Sequence, residues 1–444
     1  MQRRLDSFPD ELEKYFANMI DRIDKIHREE TARIFLVNVE AAAPAPLFSL
    51  KYLSMEATDP DYAFKMEMSQ ISSQEALQIK RKWTKLLNSR CRDLLKVRTM
   101  SREHSYFLDY RVFFLHRTVK DFLRNNFEGE LQKCAGDEFN VRTSLCNTII
   151  ALSKASVDLP LDTLLHDPPD LISPNFDLVD EFLYHARDLE RKDSRSTACL
   201  LDELDRVNRI KFKGCHWTNA REAPAQEEYM YKNALTPLNL QPTLQEHESC
   251  TFLALAIQAG LPGYVKEKLE FNKELISQKR GRPLLDYALR PRIRSPILSL
   301  LGDDILDPHM VRLLLDQGSD PNQEIGIYDG YTIWSLFLSY CCWDYQFVSE
   351  RNNEFNTTVR YLGDAWYDII ELMIDHGADL TIRVQLGEFE NRNISMIATK
   401  TIKEILEFFF FGEDKAARLR LRIEEVAQRN RSHTSLFWRL LEWK

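Results

Sequence analysis

Apolar residues recur every three or four positions along most of the chain, a period that predicts amphipathic helices. The first such stripe consists of Leu12, Tyr15, Phe16, Met19, Ile20 and Ile23. Similar stripes cover residues 28–42 and 73–90, and Ser72 with Glu75 predicts a capping box at the start of the second one. Only 14 glycines occur in 444 residues, fewer than the turns of a β-sandwich or barrel require. The pattern therefore predicts a mainly α protein.

One β-hairpin interrupts the helical pattern. Residues 94–97 and 111–115 form short apolar runs on either side of a polar segment, as the two strands of a hairpin would. Thr118 followed by Asp121 predicts the N-cap of the next helix, so His116 lies at a strand-to-helix corner. Backbone N–H groups at a helix start can hold an anion. Two interpretations stay open: a histidine that contacts a phosphate, or one that caps the helix or faces solvent.

The C-terminal half carries a different pattern, in which helix pairs end at glycines. Thr251 to Gly260 predicts a short helix with a threonine N-cap and a closing glycine, and it is similar to the first helix of an ankyrin repeat. Further helices end at Gly318 and Gly377, where glycine suits the left-handed conformation. These two glycines lie 59 positions apart, against roughly 33 in a standard repeat. We therefore expect degenerate, ankyrin-like helix pairs with insertions.

Charge and cysteine content favour a cytoplasmic protein. The formal net charge is −9, yet residues 80–98 hold eight basic residues and one acidic residue. Eight cysteines are scattered without a CxxC pair, which is typical of reduced thiols inside the cell. No run approaches the ~18 apolar residues of a membrane helix, and the N-terminal residues lack the apolar core of a secretory signal. We predict a cytoplasmic location and no membrane partner.

Motifs of catalysis and metal binding are missing from the sequence. It contains no Gly-Lys dipeptide, hence no phosphate-binding P-loop, and no GxGxxG, GxSxG or HExxH pattern. Four zinc-type residues occur at Cys215, His216, His247 and Cys250, but the adjacent Cys215 and His216 cannot easily point at one ion. We therefore predict a protein that is not an enzyme, with no catalytic residue and no metal site.

The basic stretch suggests an alternative function, the binding of DNA. A winged helix places one basic helix in the major groove and adds flanking phosphate contacts. The residues that would serve here are Lys80, Lys82, Lys85, Arg90 and Arg92. The acidic overall charge, and the apolar residues between these positions, favour instead a core-facing helix with a solvated basic flank. Nucleic acid is therefore the alternative partner and not the principal one.

Two motifs in the N-terminal part resemble a known family. They are the run Phe-Leu-His-Arg-Thr-Val-x-Asp-Phe-Leu that ends at Leu123, and the run Asn-Ser-Arg-Cys-x-x-Leu-Leu that begins at Asn88. Both resemble the winged-helix segment that follows the NACHT domain in fungal NLR-like proteins, members of the STAND class of signalling NTPases. The helices before them resemble the last helix that precedes this segment, so that the resemblance covers about residues 1–130.

The resemblance implies a role that the composition does not. In that class a histidine matching His116 senses the bound nucleotide and stabilises the closed, diphosphate-bound state. ADP or ATP would be a cofactor only if a NACHT domain came from another chain or from an upstream exon, because this sequence has none. The implied protein is a non-enzymatic, regulatory portion of a signalling NTPase, acting in non-self recognition or cell death, which binds other proteins through its ankyrin-like surface.

The predicted fold is mainly α and has four regions. They are a winged-helix-like domain with one β-hairpin over residues 1–130, a helical connector over 131–248, an ankyrin-like helix-pair solenoid over 249–386 and a helical C-terminal cap over 387–444. The only candidate for nucleotide sensing is His116.

Overall fold

The computed structural model shows a mainly helical protein, which confirms the predicted fold class. The described residues are 14–100, 107–156, 174–211, 251–289, 306–325, 331–339, 357–409 and 414–428, apart from positions 15, 19, 21, 22, 193, 280, 391, 392, 416 and 427. They belong to two compact units, one within residues 1–213 and the other from residue 214 onward. Residues 212–250, with the four zinc-type side chains considered above, lie outside the described part.

The first unit contains helices and one hairpin. Its helices are α1 Arg28–Glu40, α2 Ser49–Glu56, α3 Tyr62–Lys65, α4 Ser73–Arg90, α5 Arg117–Phe122, α6 Glu128–Ala135, α7 Val141–Ala155, α8 Pro174–Lys192 and α9 Ser194–Lys211. Its strands are β1 Leu95–Thr99 and β2 Tyr110–Phe114. The predicted cap at Ser72 is present, because its Oγ accepts a hydrogen bond from the backbone N–H of Glu75 at 3.2 Å.

The hairpin is widened by a third extended segment. β1 and β2 pair antiparallel, and residues 45–47 lie along the other edge of β2. The backbone N–H of Val112 donates to the oxygen of Ala45 at 2.8 Å, and that of Leu47 donates to the oxygen of Tyr110 at 2.7 Å. The chain thus runs from α1 through the extended residues 45–47, then α2 to α4, then the hairpin. In the sheet, β2 lies between β1 and residues 45–47.

The core of the first unit forms around α1 and α7. Helix α1 packs against α6 and α7, and α7 packs against α2, α8 and α9. Fully buried side chains of this core include Phe35 and Leu152. Residue 130, where the sequence predicted the first domain to end, lies inside α6, and the helices beyond it belong to the same compact unit.

The second unit is built from short helices and a second hairpin. Its helices are α10 Phe252–Gln258, α11 Pro262–Phe271, α12 Glu274–Gln278, α13 Leu284–Leu289, α14 Pro308–Asp316, α15 over residues 333–339, α16 Thr357–Asp375, α17 Ile402–Phe409 and α18 over residues 417–426. Thr251 caps α10 as predicted, accepting from the backbone N–H of Ala254 at 3.3 Å. Gly260, Gly318 and Gly377 have φ of 71°, 100° and 86°, the left-handed conformation that a helix-ending glycine adopts.

The second hairpin differs from the predicted helical cap. β3 Arg383–Glu390 and β4 Asn393–Thr401 pair antiparallel, so strands replace helix up to Thr401. Apolar residues alternate with polar ones here, as at Val384 and Leu386 and again at Ile394 and Met396, a period that belongs to strands. Helix resumes at α17 and α18.

Candidate functional site

His116 occupies the corner between β2 and α5 and caps the helix itself. Its backbone is extended, with φ −144° and ψ 153°, and its side chain is exposed. Nδ1 accepts a hydrogen bond from the backbone N–H of Thr118 at 3.3 Å and lies 3.0 Å from Thr118 Oγ1. The prediction that Thr118 is the cap is therefore wrong. The imidazole reaches the N–H of the second helical residue, as the side chain of an asparagine cap does.

This contact sets the proton position on the ring. A ring nitrogen that accepts a hydrogen bond carries no proton, so the neutral imidazole holds its proton on Nε2. Nε2 has no hydrogen-bond partner among the described residues. The two interpretations of His116 are thus compatible, because one nitrogen caps α5 while the other offers an N–H donor.

The segment that follows His116 is fastened to the end of α1. Lys120 Nζ donates to the oxygen of Ala41 at 3.2 Å, and Arg124 donates to the oxygen of Val39 at 2.9 Å. Glu181 completes the junction by accepting from the backbone N–H of Ala42 at 3.0 Å. These contacts satisfy polar groups at the end of a helix. Burial and the nearby Arg124 lower the pKa of Lys120, against the smaller opposite effect of Glu181.

A π-helical segment, Leu123–Phe127, joins α5 to α6. Such segments are rare and often occur near functional sites. Leu123 is fully buried, and the rings of Phe122 and Phe127 stack with centroids 5.9 Å apart. The helix that carries His116 is therefore anchored at both ends, which restricts the position of the imidazole.

The basic helix α4 has a buried side and an exposed side. Trp83 and Leu87 are buried, as the apolar spacing predicted. Lys82 and Lys85 are exposed on the opposite side, and so is Arg81, which the sequence-based selection of DNA-contacting residues left out. Its position four residues before Lys85, on the same side of the helix, was the signal that could have included it.

Two other predicted contact residues serve the fold. Lys80 Nζ lies 3.8 Å from the centroid of the Tyr110 ring, and Arg90 forms an ion pair with Glu30. Both cations are half-buried, so each also makes a contact within the fold, and their contact with DNA stays a prediction. Arg92, the fifth candidate, is exposed and has φ 49°.

Two of the described thiols are buried in the first unit. Cys91 and Cys146 are buried, and burial raises the pKa of both thiols, which keeps them protonated and unreactive. Within the described part of the chain, no group of three His, Cys, Asp or Glu side chains is placed to hold a metal ion.

The comparisons with known proteins bear on the first unit alone. A family described as "Domain of unknown function (DUF7791)" matches residues 22–160. That stretch contains α1 to α7, the first hairpin, His116 and the basic face of α4. Neither the curated proteins nor the solved structures contain a match to the chain. Of the helices that the structure describes, none is both long and apolar enough to cross a membrane.

Proposed function

We propose that this chain is the non-enzymatic, regulatory and protein-interaction portion of an NLR-like signalling NTPase of the fungal NACHT class. The observation that carries the proposal is the geometry of His116, which caps α5 through Nδ1 and leaves the Nε2 donor without a partner among the described residues. The position matches that of the nucleotide-sensing histidine in the proteins that the sequence resembles.

The order of elements supports a winged-helix interpretation of the first unit. α1, the extended residues 45–47, α2 and α4 precede the hairpin, and residues 45–47 lie along β2. A winged helix has this succession of helix, strand, two helices and a hairpin wing, with the last strand in the middle. The short helix α3 is an addition between the second and third of these helices. In this arrangement the last strand leads directly to the corner at His116.

The corner could hold a phosphate without rearrangement. An oxygen of a diphosphate placed about 3 Å from Nε2 would accept its N–H, while Nδ1 would keep its hydrogen bond to Thr118. Because Lys120 and Arg124 fasten the segment to α1, the histidine would stay in place when the nucleotide leaves. The lost contact would then free the partner domain to move, which is the behaviour of a nucleotide sensor.

Contacts between loops of the second unit support the proposal of a protein-binding surface. Asn322 Nδ2 donates to the oxygen of Gly377 at 2.8 Å, and the backbone N–H of Asp379 donates to Asn322 Oδ1 at 2.7 Å. The loop that follows α14 is thereby joined to the loop that follows α16. Trp334, buried in α15, donates from Nε1 to the oxygen of Asp379 at 3.2 Å. Stacked helix pairs with joined loops are how ankyrin-like repeats present a continuous surface to partner proteins.

The test measures association of the full chain with a purified NACHT-class NTPase domain. The domain is loaded with ADP or with a non-hydrolysable ATP analogue, and binding is followed by biolayer interferometry. We expect the wild-type chain to prefer the ADP-loaded domain. His116→Asn retains an N-cap acceptor, but its shorter amide does not reach the position of Nε2. This variant should therefore lose the ADP preference and keep the wild-type melting temperature. His116→Ala also removes the cap, so it should lose the ADP preference and melt at a lower temperature.

Two results would contradict the proposal. Equal association with both nucleotide states, or a full ADP preference in His116→Asn, would reduce His116 to a helix cap. Tight binding of ADP or ATP by the chain alone would show that it contains a nucleotide site of its own.

A further inference from the structure

Apart from Leu77, the solvent-facing side of α4 is polar, and the charges along its middle and last turns are basic. The charged residues there are Arg81, Lys82 and Lys85. Their exposed neighbours on the helix are Gln74, Gln78, Asn88 and Ser89. Glu75 lies in the first turn, ahead of the basic residues. We call the surface formed by residues 78–89 on this side the α4 face.

The cations of the α4 face have no carboxylate within ion-pair distance among the described residues. Exposed cations elsewhere in the unit do pair, as Lys133 does with Glu130 at 2.9 Å. Arg81 and Lys85 are four residues apart on one helix, where like charges repel and destabilise the helix. An anionic ligand would offset this repulsion, which the fold leaves uncompensated.

The first hairpin adds two cations to the same unit. Lys96 and Arg98 are exposed and alternate along β1 with less exposed residues, so both project from one side of the strand. The turn from α4 to β1 passes through Arg92 and Asp93, both with positive φ, at 49° and 61°. This conformation is unfavourable for a non-glycine residue and defines how the strand leaves the helix. The helix and the hairpin that carry these cations are therefore joined by a short turn of defined conformation.

We infer that the α4 face and the exposed cations of β1 bind duplex DNA. A helix about 10–12 Å wide fits the major groove, which is about 12 Å wide. Amide side chains of the α4 face can reach base edges, and its cations, together with Lys96 and Arg98, can contact phosphates. An anionic membrane is a poorer match, because insertion needs a row of apolar anchors. Among the described residues of α4, a single large apolar side chain, Leu77, is exposed. This inference does not depend on the nucleotide-sensing proposal.

The experiment measures fluorescence anisotropy of a short labelled duplex of random sequence with the full chain. If the five cations each displace a counterion, the affinity should fall about 500-fold between about 50 and about 200 mM salt, a slope of about −4.5 on logarithmic axes. Arg81→Glu combined with Lys85→Glu leaves three of the five cations. The slope should therefore become shallower, to about −2.7 or closer to zero, because each lost phosphate contact lowers its magnitude by about one.

The matched control is Lys25→Glu combined with Lys273→Glu. Both lysines are exposed and belong to neither α4 nor β1, and the double variant changes the net charge by the same amount. It should bind DNA as the wild type does. Unchanged melting temperatures in both variants establish that the fold is intact. The inference is overturned if the wild type does not bind at low salt, if both double variants lose equal affinity, or if anionic vesicles bind as tightly as the duplex.

Discussion

Lys154 provides a direct test of what holds the first unit together. Its side chain on α7 is completely buried and pairs with Glu203 of α9 at 2.6 Å. Nζ also donates to the backbone oxygens of Ala63, Phe64 and Met66 at 2.7, 3.2 and 2.8 Å. One amine thus connects α7 and α9 with the end of α3. Lys154→Met keeps most of the side-chain volume and removes the donor.

The cost of this substitution follows from the groups that it leaves without a partner. Removing one member of a buried ion pair costs about 3–5 kcal/mol. We expect the lower end, about 3 kcal/mol, because Arg206 still pairs with Glu203 at 2.7 Å. In a unit of about 200 residues, each kcal/mol shifts the melting temperature by about 2–4 °C. Differential scanning calorimetry should therefore show the transition of the first unit about 6–12 °C lower.

Two further variants separate the buried amine from a general loss of charge. Lys133→Met removes the exposed ion pair with Glu130, and such pairs contribute little to stability, so its melting temperature should equal that of the wild type. Adding Glu203→Gln to Lys154→Met should recover part of the loss, since an amide carries no uncompensated charge. If Lys154→Met melts no lower than Lys133→Met, the buried amine does not stabilise the unit.

Three more predictions concern pH and the second unit. Burial raises the pKa of Glu56 despite hydrogen bonds from Ser144 and Asn147. The protonated carboxyl therefore contributes its full stabilisation of the fold below the unfolded pKa of about 4.3. This contribution is lost as the pH rises through the folded pKa. Glu56→Gln should accordingly show a smaller fall in its urea midpoint from about pH 4 to about pH 7; an unchanged fall would contradict this. Asn322→Ala removes both hydrogen bonds between the loops and should destabilise the second unit by about 1–2 kcal/mol, whereas an unchanged melting curve would show that the loops are held by other contacts. Gly377→Ala brings its Cβ within 4 Å of no atom but must adopt φ 86°, so thermal melting should show a loss of about 1 kcal/mol, and a gain in stability would refute the conformational explanation.

Features that depend on a few neighbouring residues were predictable from the sequence. The cap at Ser72 and the helix-ending glycine at Gly318 are examples. Each is decided by groups within about four positions along the chain, because a helix end needs partners for its own first or last backbone groups. The corner at His116 was predictable for the same reason, and a capping histidine was one of the open interpretations, although the sequence favoured Thr118 as the cap.

Features that depend on distant partners were not predictable. Lys80 and Arg90 belong to a basic run, yet Tyr110 and Glu30 bring them into the fold. The burial of Lys154, in an amphipathic helix where lysine usually faces solvent, depends equally on carbonyl groups about 90 positions away. No local pattern identifies such partners, because they meet only when the helices pack.

By itself the sequence determined the mainly α architecture, helix ends such as those at Ser72 and Gly318, and the placement of His116 between a strand and a helix, because period and capping are local properties of the chain. Only the tertiary structure decided that Arg81, Lys82 and Lys85 remain exposed while their neighbours are used in the core. It also decided that His116 caps α5 with one nitrogen and leaves the other without a partner among the described residues. Exposure and pairing of a charged group depend on the side chains that folding brings next to it.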